Sequence, residues 1–396
     1  MPSSPPHGPS GDPGRARPPG AGAAGADRRA SAPAGPSPAG PSPDRLAQLG
    51  WDAGWEAARR AASAGSGPVV DRRPDLPPDA APDLVPGRVV RADRGRVLVG
   101  TRAGPVHAAI TDPDVVTGDW VLLDGRVVHT VLPRRTVLVR GAGRRDARAH
   151  LLAANVDVVL LVVALATAPN LDRLHRLLTV AWSSGAQPVV VLSKADLSAT
   201  AESERDEVAD AAPAVPVLLT SVLDGRGLGE LRSRLAPGRT AVLLGVSGSG
   251  KSSLVNALAG TDLMPVGPLR DDGKGRHTTV ARELVVLPGL GVLVDTPGLR
   301  GVQLWAAGDG LERTFADVEA VVAGCQFADC RHGTEPGCAV TAAVAAGRLA
   351  AGRVDSYARL HRELSWLEAR YDARLRAEER RKWRALAKSA RQRGRR

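Results

Sequence analysis

The hydrophobic and polar positions divide the middle of the chain into two different patterns. From Gly87 to Arg140, short β-prone runs such as RVLVG and DWVLL are separated by glycine, aspartate or proline turns. About five strands in so short a stretch predict a small barrel of the OB type, which we place at residues 84–140. From residue 141 to 305, apolar runs such as VDVVLLVVA and TAVLLGV alternate with helical segments. This alternation predicts a mostly parallel, doubly wound α/β sheet.

The two ends of the chain lack both patterns. Residues 1–83 are rich in proline, glycine and alanine, so we expect a disordered tail with room for one short helix at 44–62. Residues 306–396 are predicted to be helical apart from a cysteine cluster. The basic end at 380–396 is either an RNA contact or a solvated tail. Apolar residues at helical spacing, a pattern typical of packing, are Leu360, Leu364, Leu367 and Tyr371.

The charge balance favours certain partners, and the cysteine usage and apolar runs disfavour a secreted or membrane-spanning protein. The formal net charge of +11 favours an anionic partner such as RNA or DNA, although arginines scattered over solvated faces give the same balance. No apolar run is long enough to span a bilayer, and the N-terminus lacks a signal-peptide pattern. The 3 cysteines lie close together, which disfavours a disulfide framework. We therefore expect a cytoplasmic protein.

Residues 245–252 read GVSGSGKS, the pattern of a phosphate-binding loop between a strand and a helix. Glycines let the backbone N–H groups surround phosphate oxygens, Lys251 is expected at the β- and γ-phosphates, and Ser252 at Mg²⁺. Farther on, DTPG follows a strand, so Asp295 is expected to hold Mg²⁺ and the Gly298 amide to sense the γ-phosphate. The nucleotide-binding residues predicted from these two motifs are Gly245, Val246, Ser247, Gly248, Ser249, Gly250, Lys251, Ser252, Ser253, Asp295 and Gly298.

A base-reading motif precedes the phosphate loop. The sequence SKAD follows the apolar run PVVVL and is similar to the guanine motif Asn-Lys-x-Asp, with Ser193 in place of the asparagine. The carboxylate of Asp196 would accept hydrogen bonds from guanine N1–H and the 2-amino group, and the Lys194 stem would pack on the ring. Ordinary GTPases have the opposite motif order, so we predict a circularly permuted GTPase domain. The predicted base-site residues are Ser193, Lys194, Ala195, Asp196 and, after the run PVLL, Ser221.

All the cysteines belong to a single pattern, C-x4-C-x-H-x5-C. Three thiolates and one imidazole make a closed tetrahedral Zn²⁺ site, which is structural because no position remains for water. Free core cysteines are the alternative. The four predicted ligands are Cys325, Cys330, His332 and Cys338.

Together with GRHTT at 275–279, these motifs resemble the ribosome small-subunit-dependent GTPase A family over residues 84–396. The resemblance implies GTP hydrolysis stimulated by the small (30S) ribosomal subunit, contact with its 16S rRNA, and a role in its late maturation. It implies neither DNA nor a membrane as partner, and we expect a monomer. We thus predict three folded units: an OB-type barrel, a permuted P-loop GTPase domain at 141–305, and a zinc-bearing helical domain at 306–396.

The resemblance also assigns the catalytic residues. The family's first switch carries the threonine pair, so Thr278 or Thr279 should meet Mg²⁺ and the γ-phosphate, with Thr279 assigned to the metal. Leu299 stands where many GTPases have a glutamine that orients water. We predict His277 as its substitute, since an imidazole orients or deprotonates water. The alternative is a surface histidine beside flexible glycines.

Two other functional classes remain open at this point. A P-loop ATPase or small-molecule kinase would share the phosphate loop, although Asp196 argues against it, and comparing GTP with ATP turnover separates the two. A non-catalytic RNA-binding scaffold would use nucleotide only for folding. Turnover that rises with added small subunits would exclude the scaffold.

Overall fold

The strands and helices follow the predicted order along the chain. The computed structural model describes residues 44–64, 84–141, 149–264, 282–295, 304, 309–333, 335–370 and 373. The strands are β1 (Val85–Asp93), β2 (Arg96–Thr101), β3 (Gly104–Ala109), β4 (Trp120–Asp124), β5 (Val127–Val131), β6 (Val137–Gly141), β7 (Ala149–Ala154), β8 (Val158–Ala164), β9 (Gln187–Ser193), β10 (Val217–Leu219), β11 (Thr240–Leu244), β12 (Glu283–Val286) and β13 (Val292–Asp295). The helices are α1 (Arg45–Gln48), α2 (Ala53–Ala64), α3 (Leu171–Ser183), α4 (Ala201–Ala211), α5 (Leu228–Arg234), α6 (Lys251–Ala259), α7 (Gly310–Thr314), α8 (Ala316–Val322), α9 (Ala339–Ala345) and α10 (351–370).

The first five strands close into a barrel. They pair in the order β1–β2–β3–β5–β4, and β4 pairs again with β1. Strand β3 runs parallel to β5, and the other neighbours are antiparallel. This arrangement confirms the predicted OB-type barrel. Its interior is filled by small apolar residues from alternating strand positions, including Val89, Val97, Val99, Val121 and Leu123.

A parallel sheet follows the barrel and confirms the permuted α/β domain. Strands β10, β9, β8, β11 and β13 lie side by side in that order and run parallel. Strand β8 is buried on both faces, as its unbroken apolar run requires. Val159 and Leu161 pack in the core that contains α3, whereas Val158 and Leu160 pack in the core that contains α6. The edge strand β12 is antiparallel to β13.

The barrel and the sheet are joined at several places, two of them on β1. A bulge between Val89 and Arg91 bends β1, so that Arg91 pairs with Glu283 of β12. The second joint is the buried guanidinium of Arg88, which is 1 % exposed. It donates hydrogen bonds to Gly118 O (3.2 Å), Asn155 O (3.0 Å), Thr240 Oγ1 (2.8 Å) and Leu49 O. Burial lowers the pKa of Arg88 to about 10, opposed by the carboxylates of Asp157 and Asp119.

Residues 44–64 pack against the barrel as the two helices α1 and α2. The chain breaks between them at Gly50, which has φ +93°, and the Asp52 carboxylate then accepts a hydrogen bond from Trp55 N (2.9 Å). The predicted tail at 1–43 and the stretch 65–83 lie outside the described residues. The apolar contact is made by Leu46, Leu49, Trp55, Trp120, Leu122 and Leu132.

The C-terminal helices dock on α3 and α4 of the sheet domain through a buried polar network that reaches His175 of α3 and Ala211 of α4. Arg353 on α10 is 6 % exposed and donates to both carboxylate oxygens of Asp317 at 2.6 Å. It also donates to Thr314 O (2.7 Å) and, across the interface, to Ala211 O (2.6 Å). Leu360 and Leu364 are buried as their spacing predicts, Leu367 is partly buried, and Tyr371 lies outside the described residues. Within the described part of the chain, no helix combines the length and apolar character needed to cross a membrane.

Candidate nucleotide site and metal centre

Four of the predicted motifs start where strands of the parallel sheet end. The phosphate loop follows β11, SKAD begins at the last residue of β9, the loop that carries Ser221 follows β10, and DTPG begins at Asp295, the last residue of β13. Because these strands are parallel, their carboxyl ends lie at one edge of the sheet. The strand order reverses direction between β8 and β11, which is where doubly wound sheets bind ligands. The structure thus brings the predicted phosphate and base motifs to one crevice.

The phosphate loop has the backbone that its glycines allow. Gly248 and Gly250 have φ of +78° and +85°, a region that side chains with a Cβ rarely adopt. A Cβ on Gly245 would lie 2.4 Å from Val162 O, so the loop passes tightly against β8. The Lys251 ammonium donates to Gly245 O (2.9 Å) and Val246 O (2.6 Å). The cation is therefore held over the loop, where phosphate oxygens would bind.

A single hydroxyl ties the base-reading motif to the phosphate loop. Ser193 Oγ is buried and donates to Ser249 O at 2.7 Å. The next residue, Lys194, has φ +58°, and Ala195 N donates to Thr220 O at 3.1 Å. The three loops of the site are thus linked to one another by hydrogen bonds, with Ser193 in the middle.

Of the two predicted base-site side chains Asp196 and Ser221, the first is exposed and the second is bonded within its own loop. Asp196 is an exposed residue of a 3₁₀ turn (Ala195–Leu197), and its carboxylate makes no hydrogen bond or ion pair with the described residues. Ser221 is buried, and its hydroxyl accepts from the backbone N–H groups of Leu223 (3.2 Å) and Asp224 (3.4 Å). Asp196 is therefore available to a ligand, while the Ser221 side chain shapes its own loop.

Several predicted residues lie outside the described part of the chain. These are His277, Thr278, Thr279 and Gly298, together with the side chain of Asp295. The backbone of Asp295 ends β13, which runs in register with β11 through the pair Val242 and Val294. Ser252 and Ser253 are in the first turn of α6 and half-buried.

The four predicted metal ligands form one cluster. Their ligand atoms all lie within 4.8 Å of one another. His332 Nδ1 is 3.6 Å from Cys325 Sγ and 3.8 Å from Cys338 Sγ. A tetrahedral zinc site with its usual bond lengths separates sulfur and nitrogen ligands by about 3.5 Å, so the cluster fits Zn²⁺.

At Cys338, hydrogen bonds favour the thiolate form that metal binding needs. Burial raises the pKa of Cys338, but bonds from Thr341 and His332 outweigh it and lower this pKa to about 6. Thr341 N donates to Cys338 Sγ at 3.4 Å, because the cysteine is also the N-cap of α9. The sequence analysis missed this supporting role, although a residue three positions after a cap is a recognisable signal.

Comparison with known proteins gives consistent matches. Residues 131–305 match the RsgA GTPase family. The small ribosomal subunit biogenesis GTPase RsgA of Streptomyces avermitilis is 51% identical over 312 residues, which cover 75% of this chain and 84% of that protein. A protein of the same name from Methanosarcina acetivorans is 40% identical over 279 residues, covering 69% and 76%.

Solved structures have the same fold. The crystal structure of YjeQ from Thermotoga maritima superposes with a TM-score of 0.55 at 26% identity, covering 71% of this chain and 98% of that one. YloQ, described as a circularly permuted GTPase, superposes with a TM-score of 0.53 at 23% identity, covering 73% and 98%.

Proposed function

The chain belongs to the RsgA GTPase family, and on this basis we propose that it binds the small (30S) ribosomal subunit and assists its late maturation. It hydrolyses GTP to GDP and phosphate, and we expect the subunit to stimulate this turnover. The observation that carries the proposal is the crevice at the sheet edge, where Ser193 ties the base-reading motif to the phosphate loop. The relatives' name, small ribosomal subunit biogenesis GTPase, supports the choice of partner.

The proposed chemistry is attack of water on the γ-phosphate. The new bond joins the water oxygen to phosphorus, and the bond to the β,γ-bridging oxygen breaks, releasing GDP. Lys251 neutralises the charge that develops on the phosphate oxygens, and His277 orients the water or accepts its proton. Asp196 selects guanine, since adenine offers no such pair of donors.

Two metals complete the proposal. Mg²⁺ supplies further charge neutralisation at the β- and γ-phosphates, and Ser252, Thr279 and Asp295 are the residues that would hold it. The Ser252 hydroxyl, half-buried and without a hydrogen bond to the described residues, suits this role. One Zn²⁺ at Cys325, Cys330, His332 and Cys338 would have a structural role, because the four protein ligands leave no position for water.

Two adjacent turns of the barrel carry exposed arginines, which supports the proposal that the protein contacts the 16S rRNA of the subunit. The β1–β2 turn carries exposed Arg94 and Arg96, and the β4–β5 turn carries exposed Arg126. The turns lie close together, since Ile110 N donates to Gly95 O (3.4 Å) and Ala109 N donates to Arg126 O (2.8 Å). OB-type barrels bind oligonucleotides with these two loops.

We propose that the protein acts as a monomer in the cytoplasm.

Hydrolysis measured with and without purified small subunits tests this function. We expect GTP turnover to rise at least about tenfold with subunits, which corresponds to a barrier lowered by about 1.4 kcal/mol. ATP turnover should stay at background. Turnover indifferent to subunits would contradict the ribosomal role, and equal use of ATP would favour the kinase or ATPase alternative.

Replacing Asp196 with asparagine should change the base preference. The amide replaces an acceptor with a donor, so GTP affinity should fall about 10- to 100-fold, the value of a hydrogen bond to a charged group. Xanthosine triphosphate, whose 2-carbonyl matches the amide donor, should bind better than GTP. Nucleotide titrations measure both affinities. Asp210→Asn, at an exposed position on α4, is the matched control and should behave as wild type. An unchanged preference in Asp196→Asn would remove SKAD from the base site.

A further inference from the structure

Two arginines at the junction of the barrel and the sheet have no ion-pair partner among the residues that the structure describes. Arg140 lies on β6 opposite His150 of β7, and its Nε atom is buried without a hydrogen-bond partner. Arg282 directly precedes β12 and is half-buried. Buried guanidinium nitrogens normally find acceptors, so an unpartnered one points to a ligand.

The two guanidinium groups repel each other. Burial lowers the pKa of Arg282, and the positive charge of Arg140 lowers it further. No carboxylate in the described part of the chain forms an ion pair with either group. Glu283 is adjacent in sequence, but neighbouring positions of an extended chain point to opposite faces. Like charges in a half-buried place are unfavourable unless an anion joins them.

This arginine pair lies where the barrel touches the β12–β13 hairpin. Thr117 lies in the β3–β4 loop. Its hydroxyl donates to Arg282 O at 3.1 Å, and its backbone carbonyl accepts from Ala154 N of β7 at 3.0 Å. The β3–β4 loop and β7 are closely packed here, because a Cβ on Gly118 would lie 2.1 Å from Ala154 O. Strand β12 follows the segment that carries GRHTT, and β13 leads into DTPG. An anion bound here would thus sit beside the strands that connect the two predicted γ-phosphate-sensing segments.

We propose that Arg140 and Arg282 bind a backbone phosphate of RNA, and that the subunit reaches the β12–β13 hairpin through this contact. The inference rests on the proposed function, since small subunits would supply the RNA. Guanidinium groups suit phosphate because their forked donors match its oxygens. RNA is favoured over a free anion because Arg282 lies near the basic β1–β2 turn of the barrel. Its neighbour Glu283 pairs with Arg91 of β1, three residues before the exposed Arg94.

The test compares Arg140→Gln and Arg282→Gln with wild type in binding to purified small subunits over a salt series. Each variant should bind about tenfold more weakly at 0.1 M salt, and the slope of log K against log salt should shrink by about 0.7–0.9 per lost phosphate contact. Arg205→Gln, which removes the same charge from the exposed face of α4 at the other end of the sheet, should leave both values unchanged.

Thermal unfolding of the free protein separates binding from a structural role. Neutralising one member of a repelling pair should leave Tm unchanged or raise it, whereas removing a structural arginine would lower Tm. A lowered Tm, or subunit binding with wild-type affinity and slope, would overturn the inference. If inorganic phosphate raises the Tm of wild type but the variants bind subunits normally, the pair holds a free anion and the RNA assignment is wrong. Failure of wild type and Arg205→Gln alike to bind subunits would contradict the proposed function instead.

Discussion

Lys251→Ala should lower GTP turnover by about 10²- to 10³-fold at saturating GTP, a loss of roughly 3–4 kcal/mol of transition-state stabilisation. The ammonium already lies over the phosphate loop, bonded to Gly245 O and Val246 O at 2.9 and 2.6 Å. The cation is thus already close to the place where negative charge would move onto the β,γ-bridging oxygen. Single-turnover hydrolysis at saturating GTP measures the effect apart from binding.

Two further variants test this interpretation of Lys251. Lys251→Arg keeps the charge, but the planar guanidinium does not reproduce the compact ammonium that fits between two carbonyls, so activity should recover only in part. Arg234→Ala removes a cation from an exposed i,i+4 pair with Glu230 on α5 and should leave turnover unchanged. Turnover of Lys251→Ala within tenfold of wild type would show that another group carries the phosphate charge.

Cys338→Ser should abolish stoichiometric zinc and unfold the C-terminal helices. Cys338 is a predicted ligand, the N-cap of α9 and, at 6 % exposed, a member of the main hydrophobic core. Losing it removes a ligand and leaves the other three side chains without the metal that would link them. Structural zinc sites contribute on the order of 10 kcal/mol to the folding of small domains, more than these short helices can replace. Elemental analysis, together with circular dichroism, checks the outcome.

Thr341→Ala is the matched control for the zinc site. Its backbone N–H, which donates to Cys338 Sγ, is retained, while its exposed hydroxyl, which bonds Gly333 O at 3.3 Å and also bonds the Cys338 thiol, is lost without removing a metal ligand. We expect one zinc per chain and wild-type helix content. A metal-free wild-type protein with intact C-terminal helices would contradict the zinc assignment.

The features that sequence predicts well are those written in consecutive residues. The phosphate loop, SKAD and the cysteine–histidine spacing each occupy a short window, and the apolar runs of β8, β9 and β11 are read directly as buried strands. The barrel follows from strand count and turn residues. The roles of the phosphate-loop and SKAD side chains in GTP binding stay predictions.

The features that sequence does not predict are contacts between distant residues. The Ser193–Ser249 hydrogen bond, the Arg88 joint and the Arg353 network each link segments far apart in the chain. An arginine that will be buried has no local pattern that separates it from the many exposed arginines. The break between α1 and α2 at Gly50 was likewise missed, because a glycine within an apolar stretch fits either one helix or two.

The permuted strand order has a consequence for synthesis of this chain. Strand β8 ends at Ala164, but β11, which lies beside it in the sheet, begins only at Thr240. At a synthesis rate of about 5–20 residues per second, β11 is made roughly 4–15 s after β8. During this time one edge of β8 has no paired strand. That edge belongs to a strand that is apolar on both faces, the kind most prone to pair with another chain. In a GTPase with the ordinary motif order, the strand equivalent to β11 is made before the strand equivalent to β8. The permutation therefore changes the order in which these two neighbouring strands become available to pair.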